Sequence, residues 1–110
     1  MSILTGGGGY SELEFRAQVL LSIQRALWDM VTPDLRGVSV SWGNHAVRMR
    51  FLYDRPVTAD MREIVREVET YVLADFDEGL TTDVTAEFAA PNEVRHLRDR
   101  QWWAYLRRET

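Results

Sequence analysis

Residues 58–78, TADMREIVREVETYVLADFDE, carry the most regular pattern in the chain and constrain how the rest can fold. Apolar residues recur there at the spacing of one face of an α-helix, which is typical of a helix that covers a core. These apolar residues are Met61, Ile64, Val65, Val68 and Val72. Thr58 suits the N-cap, Asp60 suits the first turn, and Gly79 suits the C′ position after the helix. The pattern predicts a central amphipathic helix.

The composition indicates one small domain. With 110 residues, 45% of them hydrophobic, the chain is long enough to bury a core without covalent staples. It has no cysteine, which excludes disulfides and thiolate chemistry. Without a long apolar run or a signal sequence, we expect a cytoplasmic protein with no membrane partner. Residues 1–9 contain four consecutive glycines and are predicted to be a flexible leader to a single domain at 10–110.

Acidic residues are concentrated in one part of the chain. The net charge is −4, but residues 54–93 hold eleven Asp or Glu against three Arg. Such asymmetry favours a cationic partner, with an ordinary solvated face as the alternative. The residues assigned to this acidic side are Asp60, Glu63, Glu67, Asp77, Glu78 and Asp83.

A first helix is predicted before this region. Ser11 and Glu14 fit a capping box, and Pro33 disfavours helix at the preceding residue, so we expect a helix between them. Its core stripe is Val19, Leu20, Ile23, Ala26, Leu27 and Met30. Leu21 and Trp28 lie outside that stripe. We predict that both are accessible and form a dimer or partner contact, unless the leader or the tryptophans at 102–103 cover them.

Strands are predicted on both sides of the central helix. The segment 36–54, RGVSVSWGNHAVRMRFLYD, alternates at period two around Gly43-Asn44, which predicts a hairpin with that dipeptide as its loop. In this register Val40 faces Val47. Residues 80–88 alternate again, and residues 102–108 are predicted to form a short last strand.

These elements define the fold class. The order α-β-β-α-β-β is best satisfied by an α+β domain with two helices on one face of a mainly antiparallel sheet. A right-handed crossover is expected to place the third strand beside the first, with the last strand at an edge. On the other face, Arg48 and Arg50 are expected to meet Asp83 or Glu87.

Two charged residues are predicted to belong to the fold. Arg36 shares the parity of Val38, and Asp75 lies close to the apolar stripe of the central helix. Because a buried charge needs a partner, we predict an Arg36–Asp75 ion pair, which leaves Asp77 and Glu78 for a partner. The alternative for Asp75 is a carboxylate kept for catalysis.

The sequence contains no strong catalytic or cofactor motif. His45 and His96 are too isolated to predict a metal site, and Glu63 and Glu67 have no apolar pocket to tune them for acid–base chemistry. The glycine run lacks the Lys-Ser/Thr of a phosphate loop. The acidic composition argues against nucleic acid. We therefore expect no catalytic residues, no metal and no cofactor.

Three segments resemble a known group of proteins. They are VTPDLRGVSV at 31–40, VETYVLADF at 68–76 and WAYLRRE at 103–109. In this order they resemble small bacterial immunity proteins, some of them encoded beside contact-dependent growth inhibition or other polymorphic toxins. The resemblance implies a non-enzymatic protein that binds a cognate toxin domain, often a nuclease, and blocks its active site.

The acidic side fits that expectation independently, because a nuclease cleft is cationic and a surface rich in carboxylates competes for it. The sequence therefore favours an immunity protein. The alternative is a small homodimeric interaction domain that associates through Trp28, and an enzyme ranks third.

Overall fold

The computed structural model describes residues 12–43, 45–76 and 79–109. Two helices and four strands follow the predicted order: α1 (Glu12–Ala26), β1 (Leu35–Gly43), β2 (Ala46–Tyr53), α2 (Ala59–Ala74), β3 (Thr81–Phe88) and β4 (Trp102–Leu106). The predicted leader, the cap at Ser11, Asn44 of the hairpin loop, and the proposed partner residues Asp77 and Glu78 lie outside the described residues. No helix in the described ranges is long and apolar enough to cross a membrane.

The central helix forms as predicted at its start. The Thr58 hydroxyl accepts a hydrogen bond from the Met61 backbone at 3.1 Å, and the Met61 sulfur accepts one from the Thr58 backbone at 3.3 Å. Its buried residues are Met61, Val65, Val68 and Val72. The predicted C′ position of Gly79 is wrong, because the helix ends at Ala74 with Asp75 as its C-cap. Gly79, with a φ of 99°, instead belongs to the turn that leads into β3.

The first helix buries the predicted stripe but ends early. Val19 and Ile23 are fully buried, and Leu27 and Met30 still pack against the core from the turn that follows the helix. The expected end near Thr32 is wrong, because α1 ends at Ala26 and Asp29 adopts a left-handed φ of 65°. That conformation cannot continue a right-handed helix.

The sheet is mostly antiparallel, and both helices pack on one of its faces, as predicted. Its strand order is β3-β2-β1-β4. The last strand is at an edge as expected, but the predicted place of the third strand is wrong. Strand β3 pairs in parallel with β2, and β4 occupies the free side of β1. The crossover through α2 therefore returns the chain to the strand that it has just left.

The hairpin has the predicted faces but a different register. Val40 faces Met49 and Trp42 faces Val47, so the expected pairing of Val40 with Val47 is wrong by two residues. Gly43 pairs with Ala46, so it belongs to the strand and not to the loop as predicted, and His45 has a left-handed φ of 61°. Because side chains alternate with a period of two, this shift by itself leaves the side chains of residues 38–42 and 46–53 on their predicted faces.

The predicted ion pair between Arg36 and Asp75 is wrong. A bulge lies between Leu35 and Gly37, which pair with Tyr53 and Leu52 respectively. The extra residue reverses the parity at Arg36, so its side chain leaves the helix-covered face. Arg36 is 1% exposed and forms a bidentate pair with Glu109, with both distances 2.9 Å. Asp75 instead accepts a hydrogen bond from Ser22 at 2.7 Å.

Part of the outer face of the sheet is covered by the segment 89–101. Arg36 donates to the carbonyl oxygens of Ala89, Ala90 and Glu93 at 2.8–3.0 Å. Arg50 donates to the His96 carbonyl at 2.6 Å and pairs with Glu87 at 3.6 Å, which confirms one of the expected contacts across the strands. Two buried arginines thus hold this irregular segment on the sheet.

Candidate functional site

Carboxylates line one flank of α2. Asp60, Glu63 and Glu67, which we call the acidic row, are all exposed and recur at helical spacing. Tyr71, 54% exposed, continues the row by one further turn. Glu63 forms an exposed ion pair with Arg66 at 2.9 Å. The row therefore combines anionic groups with an accessible aromatic ring, a combination suited to binding.

The two flanks of α2 face different neighbours. Glu69, on the flank of Arg62 and Arg66, accepts a hydrogen bond from Thr82 of β3. Asp75 contacts Ser22 and Arg25 of α1. By the helical repeat of about 3.6 residues per turn, the acidic row lies nearer the α1 flank than Arg62 and Arg66 do.

The predicted acidic side is not one surface. Asp83 lies beside Arg48 in the register of β2 and β3, on the face of the sheet that the helices leave uncovered. The prediction that it shares a side with the α2 carboxylates is therefore wrong. Neighbours along a strand alternate between the two faces of a sheet, and charge counting along the chain does not register that alternation.

Apolar residues remain exposed beside α1. Leu21 is 48% exposed and Trp28 is 70% exposed, so their predicted accessibility is confirmed. The tryptophans at 102–103 do not cover them. Because Ser22 and Arg25 point to α2 while Val19 and Ile23 enter the core, Leu21 and Trp28 occupy the remaining, solvent-facing side. We call these two residues the apolar strip.

A groove that sequence reasoning missed lies on the other side of α1. It has a volume of about 650 Å³ and is lined by Leu13, Arg16, Trp42, Arg100 and Trp102. Trp42 and Trp102 stack with ring centroids 6.2 Å apart and planes inclined by 15°. The Arg16 guanidinium lies 3.7 Å from the Trp102 ring centroid. The sequence signal for this groove was that Trp42 is predicted to face inward and that the predicted last strand also contains tryptophans.

The shifted pKa values belong to groups that hold the fold. Hydrogen bonds from Arg36 and Arg107, together with nearby arginine charge, lower the pKa of Glu109 to about 2. A hydrogen bond from Arg107 lowers the pKa of Asp54, and burial raises the pKa of Tyr53 to about 12. No group of three or more His, Asp or Glu residues in the described segments is arranged to bind a metal.

The fold and its surface define a small binding protein: a rigid sheet backs a helical layer that presents an acidic row, an apolar strip and an aromatic groove. The family model of the MafI2 immunity protein matches residues 16–109, and the chain belongs to that family. It is therefore an immunity protein of a bacterial polymorphic toxin system, and its partner is a cognate toxin. This confirms the resemblance found in the sequence. No curated protein sequence matches the chain.

Proposed function

We propose that the protein neutralises a nuclease toxin by docking the acidic row of α2 on the cationic cleft that binds the nucleic acid. The observation that carries the proposal is the exposure of Asp60, Glu63 and Glu67 along one flank of a helix anchored by four buried residues. A rigid helix presents these carboxylates at fixed spacing, so little conformational entropy is lost when they bind. Inhibition in this form requires no chemistry from the immunity protein.

The apolar strip supplies the central contact in this proposal. Charged groups at the rim of an interface contribute mainly to the association rate, whereas buried aromatic residues contribute most of the affinity. Trp28 is a suitable anchor because it is exposed in the free chain and lies on the same helical layer as the acidic row. Docking over this layer would bury both features together.

A second candidate follows from the same exposed tryptophan. Two copies of the chain packed through Leu21 and Trp28 would cover the apolar strip without a toxin. This homodimer would be seen as a doubled mass of the isolated protein, and it would leave the acidic row free.

The proposal is tested with Glu67→Arg, measured against the toxin domain encoded beside the gene, in a catalytically inactivated form. Asp83→Arg is the matched control because it makes the same charge change on the opposite face of the sheet. At physiological ionic strength exposed charges are screened beyond roughly 8 Å, so only the local substitution should matter. We expect Glu67→Arg to slow association by about tenfold and Asp83→Arg to change it by less than about twofold.

Equal association rates for Glu67→Arg and the unmodified protein would refute docking through the acidic row. Nuclease activity measured alongside gives a second readout: the unmodified chain should abolish cleavage at equimolar toxin, and Glu67→Arg should require an excess. A toxin that cleaves no nucleic acid would overturn the choice of nuclease without affecting the docking surface.

A further inference from the structure

The aromatic groove has a charge opposite to that of the acidic row. Arg16 and Arg100 both line it, and neither forms an ion pair with a carboxylate among the side chains of residues 13–43, 45–76 and 79–109. Most other arginines of the described chain do form such pairs, including Arg36, Arg50, Arg95 and Arg107. The protein has a net charge of −4, so two arginines without such a pair give this groove a charge opposite in sign to that of the whole chain.

The arrangement of Arg16 preserves its capacity to bind. Its guanidinium carbon lies 3.7 Å from the centroid of the Trp102 ring, a cation–π contact that needs no carboxylate partner. The N–H donors lie in the plane of that group and stay available for a carboxylate, which a guanidinium binds in a bidentate geometry. Trp42 stacks with Trp102 and adds apolar surface to the lining of the groove.

The groove and the acidic row lie on opposite sides of α1. The sheet order β3-β2-β1-β4 places α2 over β3 and α1 towards β4, and Asp75 at the end of α2 contacts one flank of α1. Leu13 and Arg16 line the groove on the other flank, beside Trp102 of β4. The apolar strip occupies the solvent-facing side of α1 between them. The three features therefore follow one another across the helical layer.

We propose that the aromatic groove is the second docking site for the toxin and receives an acidic segment of it, with a carboxylate held by Arg16 and Arg100 and the adjoining apolar part on Trp42 and Trp102. This inference rests on the proposed function, because it takes the toxin as the partner. A surface that is anionic at one side, apolar in the middle and cationic at the other specifies a single orientation of the partner. It also rejects a generic cationic protein, which has no acidic segment at the required place.

A protein carboxylate fits this groove better than a nucleic acid does. Binding to nucleic acid depends on neutralising several phosphates, and two arginines on an acidic protein supply little of that. A partner protein needs only one or two charge-assisted contacts at this edge, because its affinity comes from the rest of the interface.

The test measures whether substitutions in the groove speed or slow dissociation from the inactivated toxin domain. Arg16→Gln and Arg100→Gln each remove a positive charge from the groove. Arg108→Gln removes the same charge from an exposed position beyond the other end of β4 and is the matched control. If the groove binds a toxin carboxylate, each groove variant dissociates about tenfold faster, while Arg108→Gln stays within about twofold of the unmodified protein.

If the groove takes no part in binding, the groove variants should not dissociate faster. Each groove variant is then slightly more acidic, associates with a cationic toxin at the same rate or faster, and dissociates unchanged, which overturns the proposal. Thermal unfolding of Arg100→Gln excludes misfolding as a cause, since no ion pair of the described chain involves Arg100. Binding of a short single-stranded RNA at physiological salt that disappears in Arg16→Gln would also overturn the proposal, in favour of nucleic acid.

Measurement of Glu67→Arg in the same series separates the two proposals. If Glu67→Arg binds more weakly and the groove variants bind unchanged, only the proposal for the groove is refuted. If the groove variants dissociate faster and Glu67→Arg binds unchanged, only the proposal for the acidic row is refuted. If the unmodified chain does not bind the toxin domain, both proposals fail.

Discussion

At the scale of single residues, Glu109 ties the end of the chain to the sheet. Its carboxylate accepts hydrogen bonds from Arg36, which is almost fully buried, and from Arg107, and it pairs with Arg95 at 3.4 Å. Arg107 in turn pairs with Asp54 at 2.8 Å, beside the end of β2. One carboxylate therefore neutralises a buried guanidinium and links three arginines, which holds the short segment after β4 against the sheet.

This network predicts a pH dependence of stability. Hydrogen bonds from Arg36 hold the pKa of Glu109 at about 2, below its ordinary value of 4.5. A lowered pKa in the folded state means that the stabilisation is complete above pH 4.5 and is lost as the pH falls towards 2. Glu109→Gln should therefore have a lower free energy of unfolding than the unmodified protein at pH 7. This difference should shrink as the pH falls from 4.5 to 2. Urea unfolding of both proteins across this range measures the difference, and a deficit independent of pH would contradict the assignment.

Tyr53 is buried with an unsatisfied hydroxyl. Its side chain is fully buried, and its hydroxyl oxygen has no hydrogen-bond partner among the described residues. Leaving such a group unpaired costs roughly 1–3 kcal/mol, so Tyr53→Phe should raise the free energy of unfolding by about 1 kcal/mol. Tyr71→Phe, at an exposed tyrosine, is the control and should be near neutral.

Burial of Tyr53 also makes the difference in free energy of unfolding between Tyr53→Phe and the unmodified protein depend on pH. The pKa of Tyr53 is raised from 10.0 to about 12, so the unfolded chain ionises first and the unmodified protein loses stability between those values. The advantage of Tyr53→Phe should therefore grow above pH 10. Chemical unfolding at pH 7 and pH 11 tests this, and a less stable Tyr53→Phe would show that the hydroxyl has a partner.

At the scale of elements, the position of β4 depends on a close approach to Gly37. A Cβ atom at Gly37 would lie 2.9 Å from the Trp103 ring and 3.2 Å from the Tyr105 carbonyl oxygen. Strand β4 and the Trp103 ring approach β1 this closely because residue 37 has no side chain. The contact also brings Trp102 to the position where it stacks on Trp42, so the groove depends on the same glycine.

Gly37→Ala should destabilise the protein by about 1–3 kcal/mol, because overpacking displaces either β4 or the Trp103 ring. Gly43→Ala is a matched control in the same strand, since a Cβ atom at Gly43 would meet nothing within 4 Å. Thermal unfolding compares the two, and the Trp emission spectrum should change in Gly37→Ala alone. Equal stability of both variants would mean that β4 adjusts without cost.

At the scale of the whole molecule, the two faces of the sheet have different coverings. The segment 89–101 packs on part of the outer face of the sheet against the buried Arg36 and Arg50, whereas the helical layer keeps the acidic row, the apolar strip and the groove accessible. Partner binding is therefore expected on the helical layer, and substitutions on the outer face should act through stability alone.

The apolar strip gives a prediction at this scale. Trp28→Ala should weaken toxin binding by about 2 kcal/mol or more, as for a central aromatic anchor, while the isolated protein keeps a monomeric mass. Light scattering gives the mass and calorimetry the affinity. A doubled mass that Trp28→Ala reduces to that of one chain would instead establish the homodimer.

The sequence by itself determined the features that depend on local periodicity. Alternation and helical spacing settled the α+β class, the element order and the buried faces of α2 and the hairpin, because each follows from a repeat of about 2 or 3.6 residues. The N-cap at Thr58 follows from the ability of its hydroxyl to accept a hydrogen bond from the first turn. Tertiary structure alone decided the strand order, the hairpin register and the partner of Arg36. Residues distant in sequence compete for those pairings, and one bulged residue at Arg36 was enough to replace Asp75 with Glu109 as its partner.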